Sequence, residues 1–220
     1  REYARNTSDD LMVFAAIMCT PDGLPVIALI VGWFGPLSEG EERLKPLRSF
    51  GTPLVDLISE IPYSQLQTTF DAAVPHGIHR YWKSGYLPEI NNELIEVILG
   101  QAAIQPSPYS FILFFHMKGA AARVDSASTA MVSRADQWDF DIVSQWIDPA
   151  EADKNIAWVR SFWSQVEPHT TGVYVNHLDV DDGSARVKAA YGKNYERLVS
   201  IKTKYDPTNF FCYEQSIAPL

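Results

Sequence analysis

The sequence predicts an α+β fold: one large, mainly antiparallel sheet with helices packed on one face, followed by a C-terminal helix and an extended tail. Three observations predict it. Two apolar, β-branched-rich runs, Leu11–Met18 and Leu24–Trp33, flank Pro21-Asp22-Gly23 and read as strand, turn and strand, hence an antiparallel hairpin. Strand-like segments outnumber helical ones. The last thirty residues carry apolar side chains at Val187, Tyr191, Leu198, Ile201 and Tyr205, the three-to-four-residue spacing of one helix face.

The elements follow in order. Ser38 and Glu41 form a capping box, in which each side chain satisfies the other's orphan backbone donor, and open a helix to about Arg48. Tyr63, Leu66 and Phe70 mark a second, short helix. Arg80–Tyr86 is an aromatic strand. A helix from about Ile90 puts Leu94, Ile95, Ile98 and Leu99 on one stripe. Tyr109–His116 is a strongly apolar strand, followed by the small residues Gly119–Ala122.

Trp138–Trp146 is a strand, and Asp148-Pro149-Ala150-Glu151 supplies an N-cap, a proline at the first helical position and an acid at the third. The helix it starts should bury Ile156, Val159, Trp163 and Val166. Val173–His177 is the last strand before the terminal helix, which Asp206-Pro207 ends because proline disfavours the helical region for the residue before it. Phe210 and Phe211 in the tail need something to pack against. The chain shows no internal repeat, no low-complexity run and no linker-like shift in composition.

Apolar residues make up 46% and charged ones 20%, a globular balance. With 18 basic against 27 acidic residues the net charge is −9, which argues against nucleic acid or an anionic membrane as partner. No apolar run reaches membrane-spanning length, so we expect a soluble protein, cytoplasmic if bacterial. Cys19 and Cys212 lie in apolar surroundings and read as buried free thiols. Asn6-Thr7-Ser8 fits an N-glycosylation acceptor.

Candidate chemistry is concentrated in few places. Along Trp138–Trp146, with period two, Trp138, Phe140, Ile142 and Trp146 face one way and Asp139, Asp141 and Gln145 the other. That polar side is either a solvated sheet face or a cavity wall whose paired carboxylates raise one another's pKa and serve as a base. His177 titrates near neutral pH in its ordinary state, which suits general-base work, although a lone histidine is by default a satisfied core or surface residue. Lys83, beside Tyr81 in the aromatic strand, is either a snorkelling lysine or a substrate-orienting cation. His76 and His79 have helical spacing but lie in a proline-glycine loop without further ligands, and no metal site is expected. No Gly-x-Gly-x-x-Gly and no Gly-Lys-Ser/Thr loop is present to hold a cofactor.

The last thirty residues also resemble a known family. Tyr191-Gly192-Lys193-Asn194-Tyr195-Glu196-Arg197-Leu198, then Lys204-Tyr205-Asp206-Pro207-Thr208-Asn209-Phe210-Phe211, then Glu214-Gln215-Ser216-Ile217, resembles the carboxy-terminal signature of berberine-bridge-enzyme-like FAD-linked oxidases. The resemblance implies a substrate-binding domain over residues 1–180 and the family's terminal helix and tail over 181–220, with an amino-terminal FAD-binding domain upstream of this chain. It implies FAD in the intact protein and none bound to this chain. The implied partners are a small-molecule substrate and the FAD-binding domain, and a second copy of the chain on the apolar face that domain would cover.

Residue by residue, the resemblance assigns Asp139, Asp141 and His177, the last within Tyr174-Val175-Asn176-His177, to proton removal. It assigns Lys83, Tyr81 and Gln145 to substrate binding, and Asn176 and Gln215 to cofactor contact. Phe115-His116-Met117-Lys118-Gly119-Ala120 departs from the family's Glu-His-x-Gly-Gly-Ala stretch at Phe115 and Lys118, and Tyr213 and Ser216 stand where members place flavin-contacting asparagines. The expected whole is an FAD-dependent oxidase whose substrate-binding half, inactive alone, is this chain. The alternative is a free-standing small-molecule binding or interaction domain that has lost the flavin half.

Overall fold

A computed structural model describes residues 2–179, 181–213 and 215–220; Glu214 of the terminal motif lies outside the described residues. Among the described residues, five strands form one sheet in the order β2-β1-β4-β5-β3, with every neighbouring pair antiparallel. The strands are β1 (Leu11–Cys19), β2 (Pro25–Trp33), β3 (His79–Leu87), β4 (Phe111–Met117) and β5 (Gln137–Trp146). The helices are α1 (Glu2–Arg5), α2 (Leu37–Arg48), α3 (Tyr63–Thr68), α4 (Asn92–Ala102), α5 (Ala120–Arg123), α6 (Ala152–Val166), α7 (Ser184–Tyr191) and α8 (Tyr195–Tyr205). The α+β class and the antiparallel sheet are therefore as the pattern indicated.

The core lies between one sheet face and the helices α4 and α6. Trp138, Phe140 and Ile142 of β5, with Ile112 and Phe114 of β4, pack against Leu94 and Ile98 of α4 and against Trp158, Val159, Phe162 and Val166 of α6. Deep burial of this many large side chains is the main stabilising term, since each removes on the order of 1.5–3 kcal/mol of apolar surface from water. The opposite face carries the other half of the strand alternation, and Asp139, Asp141 and Gln145 of β5 stand on it.

Several local expectations need correction. The start of α2 has Pro36 at its N-cap and no side-chain cap, so Ser38 and Glu41 lie inside the helix rather than boxing its end. The helix begins two residues earlier than a cap at Ser38 would place it. Val173–His177 is not a strand. The backbone just before it pairs with the sheet where Tyr86 N donates to the Gly172 carbonyl and Thr171 N to the Tyr86 carbonyl, then turns through a 3-10 segment at Val175–His177.

The terminal helix is two helices. Gly192, at φ +46°, separates α7 from α8 in a backbone conformation that side chains of L-residues rarely adopt. The break rotates the stripe. Val187 of α7 is buried, but in α8 it is Val199 that is buried, while Ile201 is 43% and Tyr205 74% exposed. Leu99 of α4, at 47%, is exposed too, and α6 buries Trp158 and Phe162 beside the expected Val159, Trp163 and Val166, with Ile156 only partly covered. Cys19 is half-buried and Cys212 exposed, both free. Phe210 and Phe211 remain exposed, stacked edge-on at 5.0 Å between ring centres.

Candidate functional site

The register of three strands builds the site. Ser84 of β3 stands opposite Asp141 of β5, and Tyr86 opposite Asp139, so these four side chains share one face. The turn at Val175–His177 then lays an imidazole over them. His177 Nδ1 lies 3.0 Å from Asp141 Oδ1 and 3.5 Å from Asp139 Oδ2. Ser84 Oγ is 3.2 Å from the same nitrogen and 3.3 Å from Asp139 Oδ1. Trp82, on the same face of β3, fixes the turn by donating its indole N–H to the His177 carbonyl at 2.9 Å.

Burial makes these distances count. The carboxylate side chains are 8% exposed and the imidazole 30%, so the acids reach solvent by way of the histidine. Burial alone disfavours the imidazolium, but hydrogen bonds and charge from Asp139 and Asp141 outweigh it and raise the His177 pKa to about 10. His177 is thus protonated at neutral pH in this seat. Beside it, burial pushes the Tyr86 phenol up, reinforced by the charges of Asp139 and Asp141.

The same three residues are the group of histidine, cysteine and acid donors, among the described residues, whose ligand atoms converge to within 4.8 Å. A cation there would have to displace a proton held between two acids. Asp141 Oδ1 is buried and has the His177 Nδ1, at 3.0 Å, as its close polar contact.

The other expected residues are dispersed. Lys83 and Tyr81 alternate with Ser84 and Trp82 and so face the helices, on the opposite side of the sheet from Asp139. There Lys83 Nζ pairs with Asp181 at 2.5 Å and Asp182 at 2.9 Å, and the Tyr81 hydroxyl donates to Asp181 at 2.5 Å. Gln145 is on the site's face but farther along β5, bonded to Arg80 Nε and to the Tyr109 carbonyl. Asn176 is exposed beside His177 and donates to the Tyr174 hydroxyl at 2.7 Å. Gln215 reaches back from the tail to within 3.4 Å of the Leu178 carbonyl, the residue after His177.

Residues 173–218 match the family described as Berberine and berberine like. An FAD-linked oxidoreductase of Dictyostelium discoideum is 32% identical over 223 residues, covering 100% of this chain and 48% of that protein. An uncharacterized FAD-linked oxidoreductase of Bacillus subtilis is 28% identical, covering 100% of this chain and 49% of its own length. The carboxy-terminal part of the chain is similar to the berberine-bridge-enzyme-like family. The chain matches the carboxy-terminal part of these FAD-linked oxidoreductases and spans about half their length. Among solved structures, BBE-like 28 of Arabidopsis thaliana superposes with a TM-score of 0.82 at 21% identity, over 99% of this chain and 52% of that one. Aclacinomycin oxidoreductase gives 0.82 at 19%, over 100% and 50%. At those identities the likeness establishes the fold.

Ser84, Trp82 and Tyr86 escaped the sequence reading. A signal for them exists: once Lys83 is taken as one side of an aromatic strand, period two assigns Trp82, Ser84 and Tyr86 to the other. Asp181 and Asp182 were also missed, although a cation in an aromatic strand calls for an acid and both follow His177 within five residues.

Proposed function

We propose that the intact protein is an FAD-dependent oxidase and that this chain is its substrate-facing half, with Asp139, Asp141 and His177 as the group that removes the substrate's proton. The observation carrying the proposal is the seating of the His177 imidazole 3.0 Å and 3.5 Å from two buried carboxylates on a sheet face that leads to solvent. Enclosed acid and imidazole groups of this kind cluster at reacting sites. FAD, when bound, supplies the hydride acceptor, and oxygen then restores it. The chain's own residues do the acid–base part: a hydroxyl or an acidic carbon gives its proton to the carboxylate pair, while the neighbouring carbon gives up a hydrogen with both electrons of its C–H bond and a double bond forms between the two atoms.

Because His177 is already protonated at neutral pH, we assign the accepting role to the carboxylates. His177 holds them together and offers an N–H charge to an oxygen that becomes negative as its proton leaves. Ser84 orients both by its contacts to Asp139 and to the ring. The residues on the surface suit one edge of a flavin and not its diphosphate. Asn176 and Gln215 border the His177 turn, and Phe210, Phe211 and Tyr213 are 77%, 69% and 84% exposed, apolar surface suited to the FAD-binding domain that the relatives' other half suggests.

The test is to produce the protein from its full reading frame and mix it anaerobically with a panel of aromatic alcohols, sugars and alkaloid-like amines. Bleaching of a visible flavin band by one class, with hydrogen peroxide formed on admitting air, supports the proposal. A reading frame that begins beside Arg1, or a complete protein that carries no flavin, favours the free-standing binding domain instead.

A further inference from the structure

His177 sits on the site's face of β3, yet a few residues later the chain is on the other side of that strand. β3 is the edge strand of the sheet, so the chain passes around its open edge. On the far side, Lys83 Nζ holds Asp181 and Asp182, Arg186 Nε of α7 lies 2.8 Å from Asp182 Oδ1, and Arg160 of α6 lies 3.0 Å from Asp181 Oδ2. Arg186 also donates to the Ser84 carbonyl at 2.7 Å and lies over the Trp163 ring. Lys83 and Asp182 are 8% and 3% exposed, so this is an enclosed ion cluster and not surface decoration.

Lys83 and Ser84 are therefore consecutive residues gripping opposite sides of one loop: Ser84 touches the imidazole, and Lys83 anchors the acids that follow it. We propose that Lys83 is a positioning residue, which through Asp181 and Asp182 clasps the His177 loop across the edge of β3 and so fixes the imidazole between Asp139 and Asp141. This places Lys83 in a role other than substrate contact, and it rests on the proton-removal reading of the three site residues. The geometry explains why a lysine is suited to an aromatic strand here. Its ammonium is compact enough to serve two acids from one buried point, where burial works against its charge and the hydrogen bonds it donates to Asp181 and Asp182 more than restore it.

The groups that face His177 are Asp139 and Asp141 of β5, Ser84 and Tyr86 of β3, and Tyr174, whose ring meets the imidazole edge-on at 5.2 Å. None of them is altered by substitution at Lys83. The experiment is an NMR titration of the His177 imidazole in the chain described here, for wild type, Lys83→Met, Lys83→Arg and Asp181→Asn. Lys83→Met leaves Asp182 paired with Arg186, and Asp181→Asn alters a side chain that is 30% exposed, so one of the two keeps the fold.

We expect the wild-type midpoint near 10, a fall of at least about one pKa unit in folded Lys83→Met and Asp181→Asn as the ring samples positions away from the acids, and a smaller fall in Lys83→Arg, which keeps the charge but not the compact ammonium. A folded Lys83→Met or Asp181→Asn protein that melts earlier but keeps the wild-type midpoint overturns the proposal, since a structural ion pair does no more than that. A wild-type midpoint in the ordinary histidine range overturns it as well. If Asp141→Asn abolishes flavin reduction in the intact protein while the His177 midpoint of folded Lys83→Met is unmoved, the clasp fails and the proton-removal reading stands.

Discussion

Replacing Asp141 by asparagine should reshape the pH dependence of stability in a way that only the buried His177 contact produces. In the wild-type chain His177 goes from an ordinary 6.5 to about 10 on folding. A folded pKa above the unfolded one means that the imidazolium stabilises the folded state. That contribution is fully present below about pH 6.5 and is lost as pH rises through about 10. One unit corresponds to about 1.4 kcal/mol, so the full shift is worth about 5 kcal/mol in a dry site. The imidazole is 30% exposed, and solvent screening brings the expected value down to about 2–3 kcal/mol.

Asp141 supplies the nearer of the two contacts, 3.0 Å against 3.5 Å, so Asp141→Asn should lower the His177 midpoint by roughly 1.5–2 units and leave about 1 kcal/mol of the effect. It also removes a buried carboxylate, which costs the wild type most once the ring is neutral and no longer offsets its charge. The two stability curves should therefore converge or cross at alkaline pH. Thermal denaturation between about pH 6 and 10 resolves this, because 1 kcal/mol moves Tm by about 2–4 °C in a domain of this size. His177→Gln gives the baseline for loss from tyrosines and lysines. Wild type and His177→Gln losing stability in parallel across that range would refute the reasoning.

Other consequences follow from single contacts. Asn91 caps α4 by accepting from Leu94 N at 2.8 Å, so Asn91→Ala should cost about 1 kcal/mol, seen as a lower chemical denaturation midpoint with unchanged slope. Gly192→Ala places a Cβ at a φ of +46° and 3.2 Å from Val132 Cγ1, and should destabilise by about 1–2 kcal/mol, with hydrogen exchange rising first in α7 and α8.

The sheet and the core were legible because their signals are local and strong. Turn chemistry at Pro21-Asp22-Gly23 named the hairpin, and period two in β5 separated Phe140 from Asp139 correctly. The end of the chain was harder. A three-to-four-residue stripe from Val187 to Tyr205 ignores that one glycine at positive φ rotates everything after it, so Leu198 and Ile201 gave way to Val199 as the buried residue of α8. His177 and the two acids could be singled out by residue type and by resemblance, but their meeting depends on a 3-10 turn crossing β3 to reach β5, a long-range geometry without a sequence period. The raised pKa of His177 was illegible for the same reason. Lys83 shows the limit of reading a residue by its neighbours in sequence: the side that its strand presents to the helices decides its partners.

The most direct measurement is the rate of flavin reduction in the protein made from its full reading frame, by anaerobic rapid mixing with a substrate that bleaches the wild type. With the proton acceptor in the carboxylate pair held by His177, Asp141→Ala and Asp139→Ala should slow flavin reduction by roughly 10²–10⁴-fold for at least one of them while the fold persists by circular dichroism. His177→Gln should slow it as well. Reduction at the wild-type rate in folded variants of all three residues would contradict the assignment and return Asp139 and Asp141 to a polar sheet face without chemistry.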